Sequence, residues 1–173
     1  STFSGATLTE ANLTGASAMY AVFTEAILFG ADLTDADLNN AILTSANLRD
    51  ATLIRAHLDN VTLNYGDLRE AAFNNASVRN ANLIQVNLSD SDFSGSDLSG
   101  GDLDRATLVG VDFSEAVLVN VNLEWSNMQS VDLSGTDLTG SDLTGANLTH
   151  GVADSFTRWP AGFDPEAAGV VID

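Results

Sequence analysis

The chain has 173 residues, about the length of one ordinary domain, and 45% of them are hydrophobic, which is enough to build a core. Its 24 acidic residues outnumber six basic ones, all Arg, and the resulting net charge of −18 argues against direct binding to nucleic acid or anionic membranes. The lack of Cys excludes disulfides and thiolate metal ligands, and no apolar run is long enough to predict membrane insertion.

From residue 1 to residue 150 the apolar residues recur with a period of five. Thirty positions, from Phe3 to Leu148 in steps of five, hold 22 Leu, five Phe and one each of Ala, Val and Met. The position two residues before each of these holds only Ala, Val, Ser, Gly or Thr. A period of five fits neither a helix at 3.6 residues nor a strand at two. The pattern therefore predicts a chain that turns a corner every five residues, with the large and the small residue inside.

The fifth position of each unit is typical of a tight turn. Nine of the 14 Gly lie there, and Asn, Asp and Ser take many of the others. If four such sides close one coil, a coil takes 20 residues, and residues 1–150 would make about seven and a half coils. At the β-sheet spacing of ~4.8 Å, these coils form a rod of roughly 35 Å.

The units at residues 31–35 (ADLTD) and 146–150 (ANLTH) resemble the A(D/N)Lxx motif of the pentapeptide-repeat family. The resemblance covers residues 1–150, with thirty uninterrupted repeats. It implies an all-β fold, a right-handed quadrilateral β-solenoid, and a protein that is not an enzyme and needs no cofactor. The main departure is Ala18 at a large position, which would leave an interior gap unless Met19 or Tyr20 folds over it.

Residues 151–173 break the period and are expected to form a C-terminal capping tail. Phe156, Trp159 and Phe163 would form an aromatic plug over the last coil, and Asp164 followed by Pro165 predicts one short helical turn. The segment resembles tails of cyanobacterial and plastid pentapeptide-repeat proteins. That resemblance is a hint of origin and leaves the compartment open between the cytoplasm and, if a leader was removed before Ser1, the thylakoid lumen or periplasm. The first coil carries no cap in this sequence. It is either covered by residues that precede Ser1 or used for stacking, as in an end-to-end homodimer through the N-terminal coil.

The sequence offers no pattern for catalysis or for binding a metal. His57 and His150 both take outward positions, close to opposite ends of the rod, and no nucleophile motif or phosphate loop occurs. Asp92, Asp112 and Asp132 should stack in one column, because residues 20 apart lie on successive coils. We expect these carboxylates to stay solvated or to accept hydrogen bonds, since the spacing provides too few ligands for Ca²⁺.

One face of the predicted rod carries several outward apolar residues, and these form a candidate protein-contact stripe. The residues are Val22, Ile42, Tyr65, Ile84 and Trp125. A stripe on one face suggests contact with an unidentified protein partner. The alternative is that outward strand positions simply favour β-branched and aromatic residues.

Three functions are compatible with an acidic rod. A scaffold or protein-interaction module is favoured by the stripe and the tail. A DNA mimic that occupies DNA gyrase, as quinolone-resistance pentapeptide proteins do, fits the charge and shape. Those proteins resemble each other in loop insertions or dimerising C-terminal helices that this chain lacks. A purely structural acidic or halophile-adapted repeat protein fits the many Asp and the absence of Lys.

Overall fold

In the computed structural model, which describes all 173 residues, each five-residue unit forms one side of a four-sided, right-handed β-solenoid. The second residue of each unit makes a parallel β-bridge, and every bridge from Thr2–Val22 to Asp132–Val152 joins residues 20 apart. One coil therefore takes 20 residues, and each side lies directly on the same side of the next coil. The square cross-section implied by the resemblance to the pentapeptide-repeat family is confirmed.

Each corner is a β-turn with a left-handed residue at its third position, and 28 of the thirty are closed by a backbone hydrogen bond, all except those before Ala81 and Val121. The N–H of the small residue donates to the carbonyl of the preceding large residue, as from Ala6 N to Phe3 O at 3.0 Å. In all thirty units the fifth residue has a φ between +53° and +75°, from Gln85 to Gly140. A positive φ at this position alone defines a type II turn, which favours Gly. Twenty-one of the thirty corners are not Gly. Eight of these are Asn or Asp, which tolerate the left-handed conformation, and each of the other thirteen costs about 1–2 kcal/mol that packing must offset.

The interior is one continuous core in which each inward side chain lies over the one 20 residues later. Phe73, Phe93 and Phe113 form such a stack, with ring centroids 4.3 and 5.5 Å apart. From Ala21 onward nearly all inward side chains are buried, whereas those of the first coil are exposed or half-buried. The gap at Ala18 is not filled: an apolar cavity of about 180 Å³ remains there. Met19 lines this cavity but is 43% exposed, and Tyr20, 67% exposed, does not line it.

Asp and Asn side chains at the second position of a unit stabilise the turn that follows by accepting a backbone hydrogen bond. Their Oδ1 accepts the backbone N–H two residues later, as in Thr14 N to Asn12 Oδ1 (3.0 Å) and Ser94 N to Asp92 Oδ1 (2.9 Å). Sixteen of the seventeen Asp or Asn residues at this position make the bond, all except Asn127. The preference for Asp or Asn before the large residue is therefore structural, because this bond stabilises the corner.

The tail continues the solenoid before it caps it. Strand β1 (Val152–Ala153) lies next to the side that contains Asp132, because Val152 bridges that residue. Strand β2 (Val171–Ile172) pairs in parallel with β1. Trp159 and Phe163 stack with centroids 5.2 Å apart and pack against the core. The tail therefore covers the C-terminal end of the rod with two stacked rings and one short strand.

The helical turn expected after Asp164 is present as a single turn, in which Ala168 N donates to Asp164 O at 3.2 Å, but it does not extend into a helix. Asp164 does accept the N–H of Ala167 through Oδ1, as a capping residue does. Residues 165–169 form hydrogen-bonded turns only, which end at Gly169 with a φ of +87°. The left-handed glycine redirects the chain, so that Val171 can donate its N–H to Gly151 O at 2.8 Å.

Phe156 also departs from the expectation, because it lies outside the aromatic plug with 77% of its surface exposed. The pairing register explains its position: Val152 pairs with a residue 20 earlier, whereas Arg158 pairs with Asp137, 21 earlier. The chain therefore carries one extra residue between them. Thr157 takes the inward place and donates its Oγ1 hydrogen to Leu133 O at 2.8 Å, so Phe156 bulges outward.

Candidate interaction surface

The five residues of the predicted stripe share one face of the rod but do not form a continuous strip. Val22 and Ile42 are direct bridge partners on successive coils. Tyr65 and Ile84 are also neighbours, because Tyr65 N donates to Ile84 O at 3.1 Å. Trp125 lies three coils from Tyr65, and charged residues separate it from Ile84. The structure thus gives two adjacent pairs and one isolated indole.

The backbone places four of the five stripe residues at two kinds of position, and Ile84, the fourth residue of its unit, at neither. Val22 and Ile42 lie at bridge positions, where β-propensity is a sufficient reason for their presence. Tyr65 and Trp125 lie at corners, with φ values of +61° and +56°, and are 55% and 60% exposed. Strand propensity cannot explain a large aromatic residue in a left-handed turn, which favours Gly and Asn. Strand propensity therefore does not account for these two rings.

Two further residues lie between the rings, and sequence reasoning missed them. Stepping by 20 from Tyr65 gives Gln85, Arg105 and then Trp125, all with positive φ. We call these four residues the aromatic corner. It spans about 14 Å, three coils at ~4.8 Å each. Tyr, Trp and Arg are the residue types enriched at energetic hot spots of protein interfaces, so the full column is a better contact candidate than the apolar residues alone.

The indole of Trp125 lies against Gly145, one coil further along the rod. A Cβ at Gly145 would lie 2.5 Å from Cε3 of the Trp125 ring, so only glycine allows the ring to rest there. The ring is thereby held against the backbone while most of it stays exposed. A ring that is already ordered loses little conformational entropy when a partner binds.

All six Arg side chains are within 4.0 Å of a carboxylate, so each positive charge is paired with a nearby negative charge. The pairs are Arg49–Glu70, Arg55–Asp35, Arg69–Asp67, Arg79–Asp59, Arg105–Asp104 and Arg158–Asp137. The remaining charge is unevenly spread. Residues 1–89 contain nine acidic residues and four Arg, a net −5, whereas residues 90–173 contain 15 and two, a net −13. The C-terminal half of the rod is therefore the more strongly negative.

Most of the acidic side chains of the bridge columns have structural partners. The Arg69 guanidinium beside Asp67 holds the pKa of that carboxyl below its usual range, and the hydrogen bonds from Thr144 do the same for the pKa of Asp142. Asp92, Asp112 and Asp132 do form a continuous bridged column, and each accepts the N–H of the Ser two residues later. No group of three or more His, Asp or Glu side chains is arranged to hold a metal ion.

The structure contains no helix of the length and hydropathy needed to cross a bilayer. His57 and His150 lie outward on different sides of the rod, and His150 N donates to Gly169 O at 3.1 Å, so its backbone anchors the tail. Outside the N-terminal cavity, the depressions of the surface are shallow and mostly polar. The surface that remains for contact is therefore the convex exterior of the rod.

Comparison with known proteins places the chain among pentapeptide repeats. Family models described as "Pentapeptide repeat region" and "Pentapeptide repeats (8 copies)" match residues 31–108 and residues 1–35 and 102–135, respectively. No curated protein sequence matches significantly.

Solved structures give the same result. A pentapeptide repeat protein from Nostoc PCC 7120 is 34% identical, with a TM-score of 0.58 over 59% of this chain and 84% of that one. HetL, a Nostoc pentapeptide repeat protein involved in the regulation of heterocyst differentiation, is 30% identical over 87% of this chain and 73% of its own, with a TM-score of 0.40. QnrB1, a plasmid-mediated fluoroquinolone resistance protein, is 18% identical over 96% and 91% of the two chains, with a TM-score of 0.50, a likeness of fold alone.

Proposed function

Because the chain belongs to the pentapeptide repeat family, we propose that it is a non-enzymatic interaction rod that binds a protein partner through the aromatic corner. The observation that carries the proposal is the placement of Tyr65 and Trp125 in left-handed turns, where each costs folding energy and leaves most of its ring in water. A residue that the fold disfavours at its position is expected to serve another role.

The test uses a double variant, Tyr65→Gly with Trp125→Gly, because glycine suits both backbone positions. The variant should unfold at the same temperature as the parent or at a higher one, since the corner strain is relieved. A partner captured from a cyanobacterial lysate by the parent should be lost by the variant. Tyr20→Gly is the matched control, since Tyr20 is also an exposed corner aromatic, with a φ of +56°. If all three proteins capture the same set, the aromatic corner is not the binding site.

A second candidate, mimicry of duplex DNA towards DNA gyrase, is supported by the net −13 of residues 90–173 on a straight rod. It makes a different prediction, because mimicry depends on charge along the rod and not on two rings. The Tyr65→Gly, Trp125→Gly variant and the parent should then inhibit DNA supercoiling equally. Inhibition by neither protein would count against mimicry and favour the aromatic corner or a purely structural role.

We also propose that two copies associate end to end through the N-terminal coil. The inward side chains of that coil are partly exposed, with Phe3 at 41% and stacked on Phe23 at 5.0 Å. Phe3→Glu should convert a sedimenting dimer into a monomer. A parent that sediments as a monomer at all concentrations would refute this association.

A further inference from the structure

A second candidate surface lies at the corner diagonally opposite the aromatic corner, where the tail slips by one residue. The extra residue, Phe156, presents a 77% exposed ring. Such one-residue bulges usually redirect a side chain for a purpose. The bulge is also held in place: Phe156 N donates to Asp154 Oδ1 at 2.9 Å, and Thr157 N donates to the same oxygen at 3.0 Å. The ring thus projects from a rigid turn.

The Phe156 ring forms one wall of a depression of about 340 Å³. The other lining residues are Ser114, Glu115, Ser134, Gly135 and Asp154. A second depression of about 290 Å³ shares Ser114 and Glu115 and extends the groove along the same corner to Asn75 and Gly95. Gly95 and Gly135 lie one coil before and one coil after Glu115, so the glutamate stands between two positions without side chains. The groove is long enough for an extended segment of a few residues.

The groove is negative and has no cation of its own. The Glu115 carboxylate takes part in no hydrogen bond or ion pair, and none of the seven ion pairs of the chain includes a groove residue. Asp154 accepts bonds from Gly135, Phe156 and Thr157 through Oδ1 alone. Those bonds, led by the one from Gly135, keep its pKa below the usual value, so it stays ionised.

We propose that this groove binds an arginine-containing segment of a partner protein, with one guanidinium lying on the Phe156 ring and donating to the Glu115 carboxylate. An aromatic face next to an unpaired carboxylate suits a planar guanidinium better than an ammonium, because only the guanidinium can stack and form a two-pronged hydrogen bond at once. The site extends the proposed function as an interaction rod, but it shares no residue with the aromatic corner.

The probe is a fluorescein-labelled hexa-arginine peptide, titrated with the full chain in 150 mM NaCl and followed by anisotropy. Phe156→Ser and Glu115→Gln should each weaken binding by about tenfold. Hexalysine should bind several-fold more weakly than hexa-arginine. Both variants change exposed side chains, and unchanged thermal unfolding would establish that the fold is intact.

Matched controls separate a site from general attraction to an acidic rod. Glu10 is also an exposed corner glutamate resting on a glycine one coil later: a Cβ at Gly30 would lie 3.4 Å from its Cγ, against 3.6 Å for Gly135 and Glu115. Glu10→Gln and Tyr20→Ser should therefore change binding by less than about twofold. Equal losses for Glu10→Gln and Glu115→Gln, or no loss for Phe156→Ser, would overturn the proposal.

The same titration is independent of the proposed function. The double variant Tyr65→Gly, Trp125→Gly should bind hexa-arginine as the parent does. A groove that binds while the aromatic corner captures nothing would refute the first proposal only, and the reverse pattern would refute only this one.

Discussion

Replacing Phe93 by Ala tests how the solenoid is held together. Phe93 is fully buried between two other rings, stacked on Phe73 at 4.3 Å with an interplanar angle of 8° and tilted against Phe113 at 5.5 Å. A buried Phe→Ala change usually costs about 3–5 kcal/mol. The loss of two aromatic contacts adds to this. We expect a loss near the upper end, about 5 kcal/mol.

The matched variants are Phe93→Leu and Phe156→Ala. Leu is the commonest large residue of the repeat and occupies Leu53 and Leu133 in the same column, so Phe93→Leu should cost only about 1–1.5 kcal/mol. Phe156→Ala removes the same ring from the surface and should change stability by less than about 0.5 kcal/mol.

Urea unfolding followed by far-ultraviolet circular dichroism measures all three variants, provided that the unfolding of the parent is a single transition. If Phe93→Ala cost less than Phe93→Leu, or if Phe156→Ala cost as much as Phe93→Ala, the assignment of inward and outward residues would be wrong.

Three further changes test the corner, the turn and the core. Gly145→Ala should destabilise the rod by about 1–2 kcal/mol, because the residue has a φ of +71° and its Cβ would meet the Trp125 ring; a urea midpoint at or above that of the parent would contradict this. Asp92→Ala should cost about 1 kcal/mol at pH 7, because the Ser94 N–H loses its acceptor, whereas Asp92→Asn should cost little. Burial raises the pKa of Asp92, but hydrogen bonds from Ser94 and Asn74 outweigh it and leave that pKa lowered. The stability that this carboxylate contributes is therefore complete above the unfolded pKa of about 3.9 and disappears as the pH falls through the folded value. In an unfolding series from pH 7 to pH 2, the stability of Asp92→Asn should decline less than that of the parent. Leu83→Asp should prevent folding, because it places a charge in the buried interior, and an unchanged melting curve would refute this.

The repeat could be predicted from the sequence because each five-residue unit carries the same information. The large and small residues specify the interior, and the period of five specifies the corners. The left-handed conformation of the corners could be predicted from the sequence only in part, because Tyr65, Gln85 and Trp125 are not residue types that favour a left-handed turn. Their φ values follow from the stacking of each corner on the next, which overrides the preference of the individual residue.

The tail could be predicted less well, since no repeat constrains it. Its composition suggested that all three aromatic residues would cover the core, and Trp159 and Phe163 do. The position of Phe156 depends on a single inserted residue, which composition cannot reveal. The inward Thr157, next to Arg158 at the bridge position, was the available sign, because Thr also takes a small inward position at Thr136.

Because bridged neighbours are always 20 residues apart, the rod can gain or lose length in whole coils of 20 residues. A residue meets its own coil and the coils 20 residues before and after it, so removing one whole coil, such as residues 86–105, would join two sides that fit equally well. The separation of Tyr65 and Trp125 would then shorten by one step of ~4.8 Å, with each ring still at its corner. Insertion or deletion of whole coils therefore changes the distance between contact points in steps of ~4.8 Å, while the core packing of the remaining coils stays the same.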